Sequence, residues 1–293
     1  MKKTKGIILA GGFGSRLFPL TFGTSKQLLP VYDKPMIYYP LSTLLYAGVK
    51  DILIISTPKD LPRFRDLFDD GSHLGINISY KEQNNPNGIA EAFLIAENFI
   101  KNDNICLILG DNIFHGKNFE KLLYKATKNL EKNYCSIFGK NIDNPSDFGV
   151  VEFDDNNYPE KIVEKPKFTN SKTVVTGLYF YTNDVINEAK KLQPSKRGEL
   201  EITDLNNVFI KKKHLKLIEL GSDFSWLDTG TYDSLIRASK YFQNLEYNTG
   251  KKYACIEEIV FDLGYISKFQ LEKNIEMVSS SSYGDYLRTI VKI

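Results

Sequence analysis

Short runs of apolar, largely β-branched residues alternate in the first part of the chain with longer segments whose apolar positions recur at helical spacing. The runs are Gly6 to Ala10, Ile52 to Ser56, Ile76 to Tyr80 and Ile105 to Leu109, and between them lie stretches such as Leu61 to Phe68 and Gly88 to Phe99. Strands that alternate with helices predict βαβ units and a largely parallel sheet. Three of the runs, Ile7-Ile8-Leu9, Ile52-Leu53-Ile54-Ile55 and Ile105-Cys106-Leu107-Ile108-Leu109, contain no polar position. Such strands suit the middle of a sheet covered by helices on both faces, so the chain up to Gly110 is expected to be doubly wound.

From Cys135 the strands come closer together. Ser136 to Lys140, Gly149 to Phe153, Lys161 to Glu164 and Val174 to Tyr181 are separated by Asn-Pro and Asp-rich turns, which predicts a mixed or antiparallel region. Beyond Trp226 the segments Thr231 to Tyr247, Lys251 to Asp262, Ser267 to Met277 and Tyr283 to Lys292 read as helices, with Ser279 to Ser282 as a loop between the last two. No Pro-rich or Ser-rich linker, internal repeat or heptad seam divides the chain. The fold class is therefore α/β.

Composition narrows the function classes. The 293 residues are 42% hydrophobic and 25% charged, enough to bury a full core. Lys plus Arg (38) and Asp plus Glu (36) nearly balance at a net +2, so the basic excess of a nucleic-acid-binding protein is missing. No run approaches the roughly 18 apolar residues of a membrane span. The N-terminal Met1-Lys2-Lys3-Thr4-Lys5 imitates the start of a secretory signal, but Gly11 and Gly12 end the apolar run too early, and the segment is expected to be the first strand. Three cysteines, Cys106, Cys135 and Cys255, are too few and too odd in number for a disulfide framework. A reducing, cytoplasmic setting is expected, with Cys106 and Cys135, which sit inside apolar runs, as buried filler.

The candidate chemistry begins at Leu9-Ala10-Gly11-Gly12-Phe13-Gly14-Ser15-Arg16-Leu17, a glycine-rich turn leaving a buried strand. Glycines there let backbone N–H groups approach a phosphate. The dinucleotide fingerprint fails because Leu17 stands at the third glycine position, and a Walker A loop fails because no Gly-Lys-Ser/Thr follows. Lys26, in Ser25-Lys26-Gln27-Leu28-Leu29-Pro30, can meet a triphosphate as a mobile charge, although taken alone it is also a typical solvated lysine. Asp111 and Asp228 each follow an apolar stretch at a strand end, where open α/β sheets bind ligands. A turn or helix-cap aspartate is the alternative at Asp228. Two carboxylates facing a triphosphate need a cation between them, and Mg²⁺, which takes one or two carboxylates plus substrate phosphates, suits that role. Glu164-Lys165 either accepts from sugar hydroxyls while neutralising a sugar phosphate or is an exposed strand end. His73, His115 and His214 lack metal-ligand spacing.

With these residues in hand, the chain resembles the sugar nucleotidyltransferase family, and within it the glucose-1-phosphate thymidylyltransferases. The likeness runs from Lys5 to the last helix. It rests on the glycine turn with Arg16, Pro19 and Thr21, on Ser25 to Pro40 with the pair Lys26-Gln27, on Gln83 with Gly88-Ile89-Ala90, and on Gly110-Asp111-Asn112-Ile113-Phe114. Further matches are Gly149 to Phe153, Glu164-Lys165-Pro166, Thr176 to Tyr181, Arg197 to Asp204 and Trp226 to Gly230. The resemblance implies a Rossmann-like nucleotidyltransferase fold in a single domain over residues 1–293, with a nucleotide-binding core (1–115), an inserted sugar-binding part (116–232) and helices at the C-terminus (233–293). It implies transfer from dTTP to α-D-glucose 1-phosphate, giving dTDP-glucose and pyrophosphate, the entry to dTDP-rhamnose and related deoxysugars.

Residue by residue, the resemblance implies that Gly11, Gly12, Gly14, Ser15, Arg16 and Lys26 hold the triphosphate and that Gln27, Gln83 and Gly88 read thymine. Asp111 and Asp228 would bind Mg²⁺. The sugar phosphate would lie against Asn112, Gly149, Glu164, Lys165, Val175 and Tyr179, with Arg16, Lys26 and Lys165 as the catalytic cations. A homotetramer with a second, regulatory nucleotide-sugar site is also implied. Apolar residues of the C-terminal helices, Leu245, Tyr247, Ile256, Ile259, Phe261, Leu287 and Ile290, exceed what one packed face needs and are expected at a subunit interface. The sequence departs from the family pattern at Phe148, where tyrosine is usual, and at Glu91, where glutamine is common. Two rival readings remain on the residues alone: a nucleotide-sugar glycosyltransferase, against which the glycine turn with Arg16 argues, and a nucleotide-sensing subunit that has lost its chemistry.

Overall fold

The computed structural model describes residues 2–292. Strand β1 (Thr4–Ala10) runs into the glycine turn and two short 3-10 turns, Ser15–Leu17 and Lys26–Leu28, before a small hairpin of β2 (Pro30–Val31) and β3 (Lys34–Pro35). There follow α1 (Tyr38–Tyr46), β4 (Asp51–Ser56), α2 (Leu61–Phe68), β5 (Asn77–Glu82), α3 (Glu91–Ile95), α4 (Glu97–Ile100) and β6 (Asn104–Leu109). The middle of the chain holds β7 (Asn112–His115), α5 (Phe119–Glu131), β8 (Cys135–Asn141), β9 (Gly149–Phe153), β10 (Pro159–Glu164), β11 (Thr173–Tyr181), α6 (Val185–Ala189), α7 (Ile202–Lys211) and β12 (Leu215–Leu220). Strand β13 (Ser225–Asp228) and helices α8 (Tyr232–Thr249), α9 (Ile256–Asp262), α10 (Lys268–Met277) and α11 (Ser282–Val291) complete it.

A nine-stranded mixed sheet organises the molecule in the order β10-β9-β11-β6-β1-β4-β5, with β8 beside β11 and β12 beside β8. The three strands that carry the continuously apolar runs, β6, β1 and β4, lie next to one another and pair in parallel. Their alternate residues face opposite sides, as the two-residue period of a strand requires. Ile8, Ile52, Ile54, Cys106 and Ile108 pack with α1, α2, α5 and the C-terminal helices, whereas Ile7, Leu53, Ile55, Ile105 and Leu107 pack with α3, α6 and α7. Covering both faces is what removes polar positions from the middle of these strands. The later strands turn antiparallel: β11 against β6 and β8, and β10 against β9.

Local chemistry sets several boundaries. Pro62 sits in the first turn of α2, where its missing N–H costs nothing. Helix α8 starts on a capping box between Thr231 and Ser234 and ends on the left-handed Gly250. Two expected helices begin later than the pattern suggests. Gly88 has φ +104° and packs on Leu200, so the helix starts only at Glu91. Lys251 to Cys255 is loop, with Ala254 at φ +52°, and α9 begins at Ile256.

The C-terminal apolar residues also differ from expectation. Ile256, Ile259 and Leu287 are core residues, and Leu245, Phe261 and Ile290 are partly buried against the core. All of these but Leu245 pack in the cluster that includes α1, whereas Leu245 packs near Val31, Met36 and Tyr39. Of that set only Tyr247 is broadly exposed. Cys106, Cys135 and Cys255 are free and buried, and burial raises each thiol above its ordinary value, in keeping with filler. No described helix is long and apolar enough to cross a membrane.

A second, two-stranded sheet, β13 against β7, stands at the C-terminal end of β6, with Asp228 opposite Asn112 and Trp226 opposite Phe114. One side chain joins it to the main sheet. Asn112 Oδ1 accepts from the backbone N–H of Gly177 in β11 (3.1 Å) and from Trp226 Nε1 in β13 (2.7 Å). A Cβ at Gly177 would lie 2.7 Å from both Cγ and Oδ1 of Asn112. Gly177→Ala is therefore expected to force this junction open and to destabilise the fold by about 1–3 kcal/mol, read as a lower thermal midpoint; an unchanged midpoint would mean that Asn112 has room to move.

Candidate active site

The glycine turn leaves β1 in the middle of the sheet. Gly12 and Gly14 take φ of +93° and +59°, a region that L side chains rarely occupy. The turn is closed by Leu17 N–H donating to Gly14 O (2.8 Å) and Thr21 Oγ1 donating to the same oxygen (2.9 Å). It walls a polar cavity of about 190 Å³ together with Ser15, Arg16, Lys26, Gln27 and Asp111. Beside it opens a cleft of about 850 Å³, and Arg16, Asp111 and Gly230 line both. Asn112, Gly149, Glu164, Lys165, Val175 and Tyr179 line the larger cleft, as does Asp228. The candidate residues thus collect in two adjoining compartments. Gln83 and Gly88 line neither. Gln83 lies directly beneath Gly11, where any side chain would strike its Oε1 at 2.3 Å.

Charge is arranged unevenly at the junction. Lys26 is only 7% exposed, and its Nζ donates to Asp111 Oδ2 at 2.6 Å while Asn112 Nδ2 donates to Oδ1 at 3.0 Å. Burial works against ionised Asp111, but the charge and hydrogen bond of Lys26, joined by hydrogen bonds from Asn112 and the backbone, hold the carboxyl below its ordinary value. Asp228 goes the other way: burial, then the charge of Asp111, raise its carboxyl, with Lys26 and Arg16 only partly offsetting them. Thr229 Oγ1 donates to the backbone oxygen of Asp111 at 2.9 Å. This contact and the β7–β13 pairing bring the two aspartates to one place. The Arg16 guanidinium lies flat against Gly230, its atoms 3.1–3.2 Å from where a Cβ would stand.

Among the described residues no group of three or more His, Cys, Asp or Glu side chains is placed to hold a metal ion. The protein offers a pair of carboxylates and no more. That donor set fits a hard cation such as Mg²⁺ that draws its remaining ligands from water and phosphate oxygens, and it does not fit a caged structural metal.

At the far side of the larger cleft, Glu164 Oε2 accepts from Thr203 Oγ1 at 2.6 Å and Lys165 Nζ lies 3.8 Å from Glu164 Oε1. Lys165 has φ +44°. Phe148 packs edge-on to Trp226 with ring centres 5.1 Å apart. Arg197 also lines this cleft, held by Glu201 at 2.9 Å with Glu199 and Glu164 nearby. Arg197 and Thr203 both fall in the matching segment Arg197 to Asp204, but the sequence assigns neither a role in the site.

A strand-end glycine turn, two carboxylates and a ring of cations around a divided cleft define a site for polyphosphate chemistry. Residues 5–244 match the family model described as Nucleotidyl transferase, and the chain belongs to the nucleotidyl transferase family, on its glucose-1-phosphate thymidylyltransferase branch. It is an enzyme of the nucleotidyltransferase class. It is 49% identical over 288 residues to the glucose-1-phosphate thymidylyltransferase of Neisseria meningitidis serogroup A, covering 98% of this chain and 99% of that one. The enzyme of the same name from Mycobacterium tuberculosis is 46% identical over 288 residues, with the same coverage. A solved structure described as a glucose-1-phosphate thymidylyltransferase from Bacillus anthracis with bound sucrose superposes with a TM-score of 0.75 at 39% identity, covering 81% of this chain and 94% of that chain. A UDP-glucose pyrophosphorylase at 24% identity shares the fold, with a TM-score of 0.74.

The opposed electrostatics of the aspartates give a test. Asp228→Asn removes a buried charge repelled by Asp111, and stability is expected to rise by on the order of 1 kcal/mol while turnover falls. Thermal denaturation with a parallel rate measurement checks this. A lower midpoint would show that the Asp228 carboxylate is held by favourable partners.

Proposed function

We propose that the protein transfers dTMP from dTTP to α-D-glucose 1-phosphate, releasing pyrophosphate and forming dTDP-glucose, and that the chain works as one nucleotidyltransferase unit in a reducing, cytoplasmic setting. The observation that carries this reading is the meeting of the two compartments at Arg16 and Asp111. One compartment has the glycine turn and the size of a phosphate chain. The other has room for a sugar phosphate and carries Lys165 and Arg197.

The attacking oxygen of a sugar phosphate is already ionised at neutral pH, so no general base is needed, and rate comes from positioning and charge neutralisation. Lys165, with Arg197 near it, aligns the sugar phosphate. Its oxygen bonds to the α-phosphorus of dTTP in line with the bond to the β-phosphate, which breaks as pyrophosphate leaves. Backbone N–H groups of Gly11 to Ser15, with Arg16 and Lys26, take up the charge on the departing group. Asp111 and Asp228 would hold Mg²⁺, which when bound offsets the charge of the phosphates. Gln27, Gln83 and Gly88 would read the thymine, and Glu164, Asn112, Gly149, Val175 and Tyr179 would line the sugar. The product belongs at the head of dTDP-rhamnose and related deoxysugar synthesis. A homotetramer with a regulatory nucleotide-sugar site completes the reading.

Pyrophosphate release is expected with dTTP and glucose 1-phosphate together and not with either alone; a glycosyltransferase would release none. Arg16→Ala is expected to lower kcat by roughly 10²–10³-fold with the melting temperature kept. Near-normal turnover would remove Arg16 from its role. Chelation of divalent cations should stop the reaction and added Mg²⁺ restore it.

A further inference from the structure

Resting on the reading that Gln83 faces the base, we infer that Glu91 orients the Gln83 amide, so that the pocket offers a hydrogen-bond acceptor and selects bases with an imino N–H over cytosine. Gln83 is 5% exposed. Its Nε2 donates to Glu91 Oε2 at 2.7 Å, and Asn87 Nδ2 donates to Glu91 Oε1 at 2.8 Å. A carboxylate only accepts, so the nitrogen end of the amide must face Glu91 and the oxygen end must face away. That oxygen is the atom lying under Gly11, whose backbone walls the small cavity. Among the described residues no side chain or backbone group donates to it, while one of the two amide N–H groups is engaged by Glu91.

The second glutamine is set the opposite way. Ser25 Oγ donates to Gln27 Oε1 at 2.6 Å, which leaves the Gln27 N–H groups for a ligand. One amide presenting an acceptor and the other a donor match the N3–H and carbonyl edge of thymine or uracil. Cytosine carries a bare N3 beside an amino group and meets this pair with both polarities reversed. The serine hydroxyl both donates and accepts, so Gln27 is free to reverse. Glu91 is not, and a glutamine at position 91 would leave Gln83 free as well, because an amide offers either end.

The test is the ratio of dissociation constants for dTTP and dCTP, measured by equilibrium dialysis on the full chain and on Glu91→Gln, Glu91→Leu and Gln83→Leu. Preference for dTTP is expected to shrink about tenfold in Glu91→Gln, the loss of one well-directed hydrogen bond, and to shrink in the other two variants as well. Glu91→Leu leaves Gln83 without its partner and serves if the isosteric change perturbs folding. A merely structural role would weaken both nucleotides alike and leave the ratio where it was. An unchanged ratio in both Glu91 variants, with a reduced one in Gln83→Leu, would overturn the role of Glu91 while base reading by Gln83 stood. An unchanged ratio in all three would overturn both.

Discussion

The site depends on one amide oxygen. Asn112 Oδ1 takes hydrogen bonds from Gly177 in the main sheet and Trp226 in the small one, and so fixes where β13 stands relative to the end of β6. Together with the β7–β13 ladder and the contact of Thr229 with Asp111, that placement sets the junction. The pairing of Asp228 with Asn112 puts a second carboxylate beside Asp111, and the turn after β13 lays Gly230 under the guanidinium of Arg16. The same residue donates from Nδ2 to Asp111. A short polar side chain therefore does the joining that a hydrophobic contact, which has no direction, would leave loose.

The second constraint is electrostatic. Two like charges about 4 Å apart repel by roughly 4 kcal/mol at an effective dielectric constant of about 20, and a nucleotide brings still more negative charge to the aspartates. The protein meets this locally. Lys26 is bound to Asp111, Arg16 bears on Asp228, and Lys165 and Arg197 stand across the cleft among Glu164, Glu199 and Glu201. A chain that is almost neutral overall, at +2, can thus bind polyanions, because the cations it needs are few and partly paid out to carboxylates until a ligand competes for them.

Most of the sheet was legible because burial on both faces erases polar positions. That is why Ile7 to Leu9, Ile52 to Ile55 and Ile105 to Leu109 stood out, and these are the three adjacent central strands. The short elements were less visible. β7 and β13 are four residues each, too short for a period to register, and their importance lies in a pairing between distant segments. Helix starts were misplaced where a left-handed residue or a close approach intervened, as at Gly88 against Leu200 and at Ala254. At the site, the glycine turn and Asp111 were readable from position at a strand end. The grip of Thr203 on Glu164 and that of Glu91 on Gln83 were not, since each joins residues whose separate neighbourhoods look like ordinary surface. Most of the apolar residues picked out at the C-terminus pack within the chain, while Tyr247, together with Ile236, Phe269 and Met277 of the same helices, stays exposed.

The placement of β13 also ties the two ends of the sequence together at the site. The glycine turn, Lys26 and Asp111 come from the first part of the chain, whereas Asp228 and Gly230 come with β13 and the turn after it, and Gly230 walls the same small cavity as Gly11 and Arg16. The nucleotide compartment is therefore closed by residues more than 200 positions apart in sequence, so anything that loosens β13 opens the cavity and separates the paired carboxylates together.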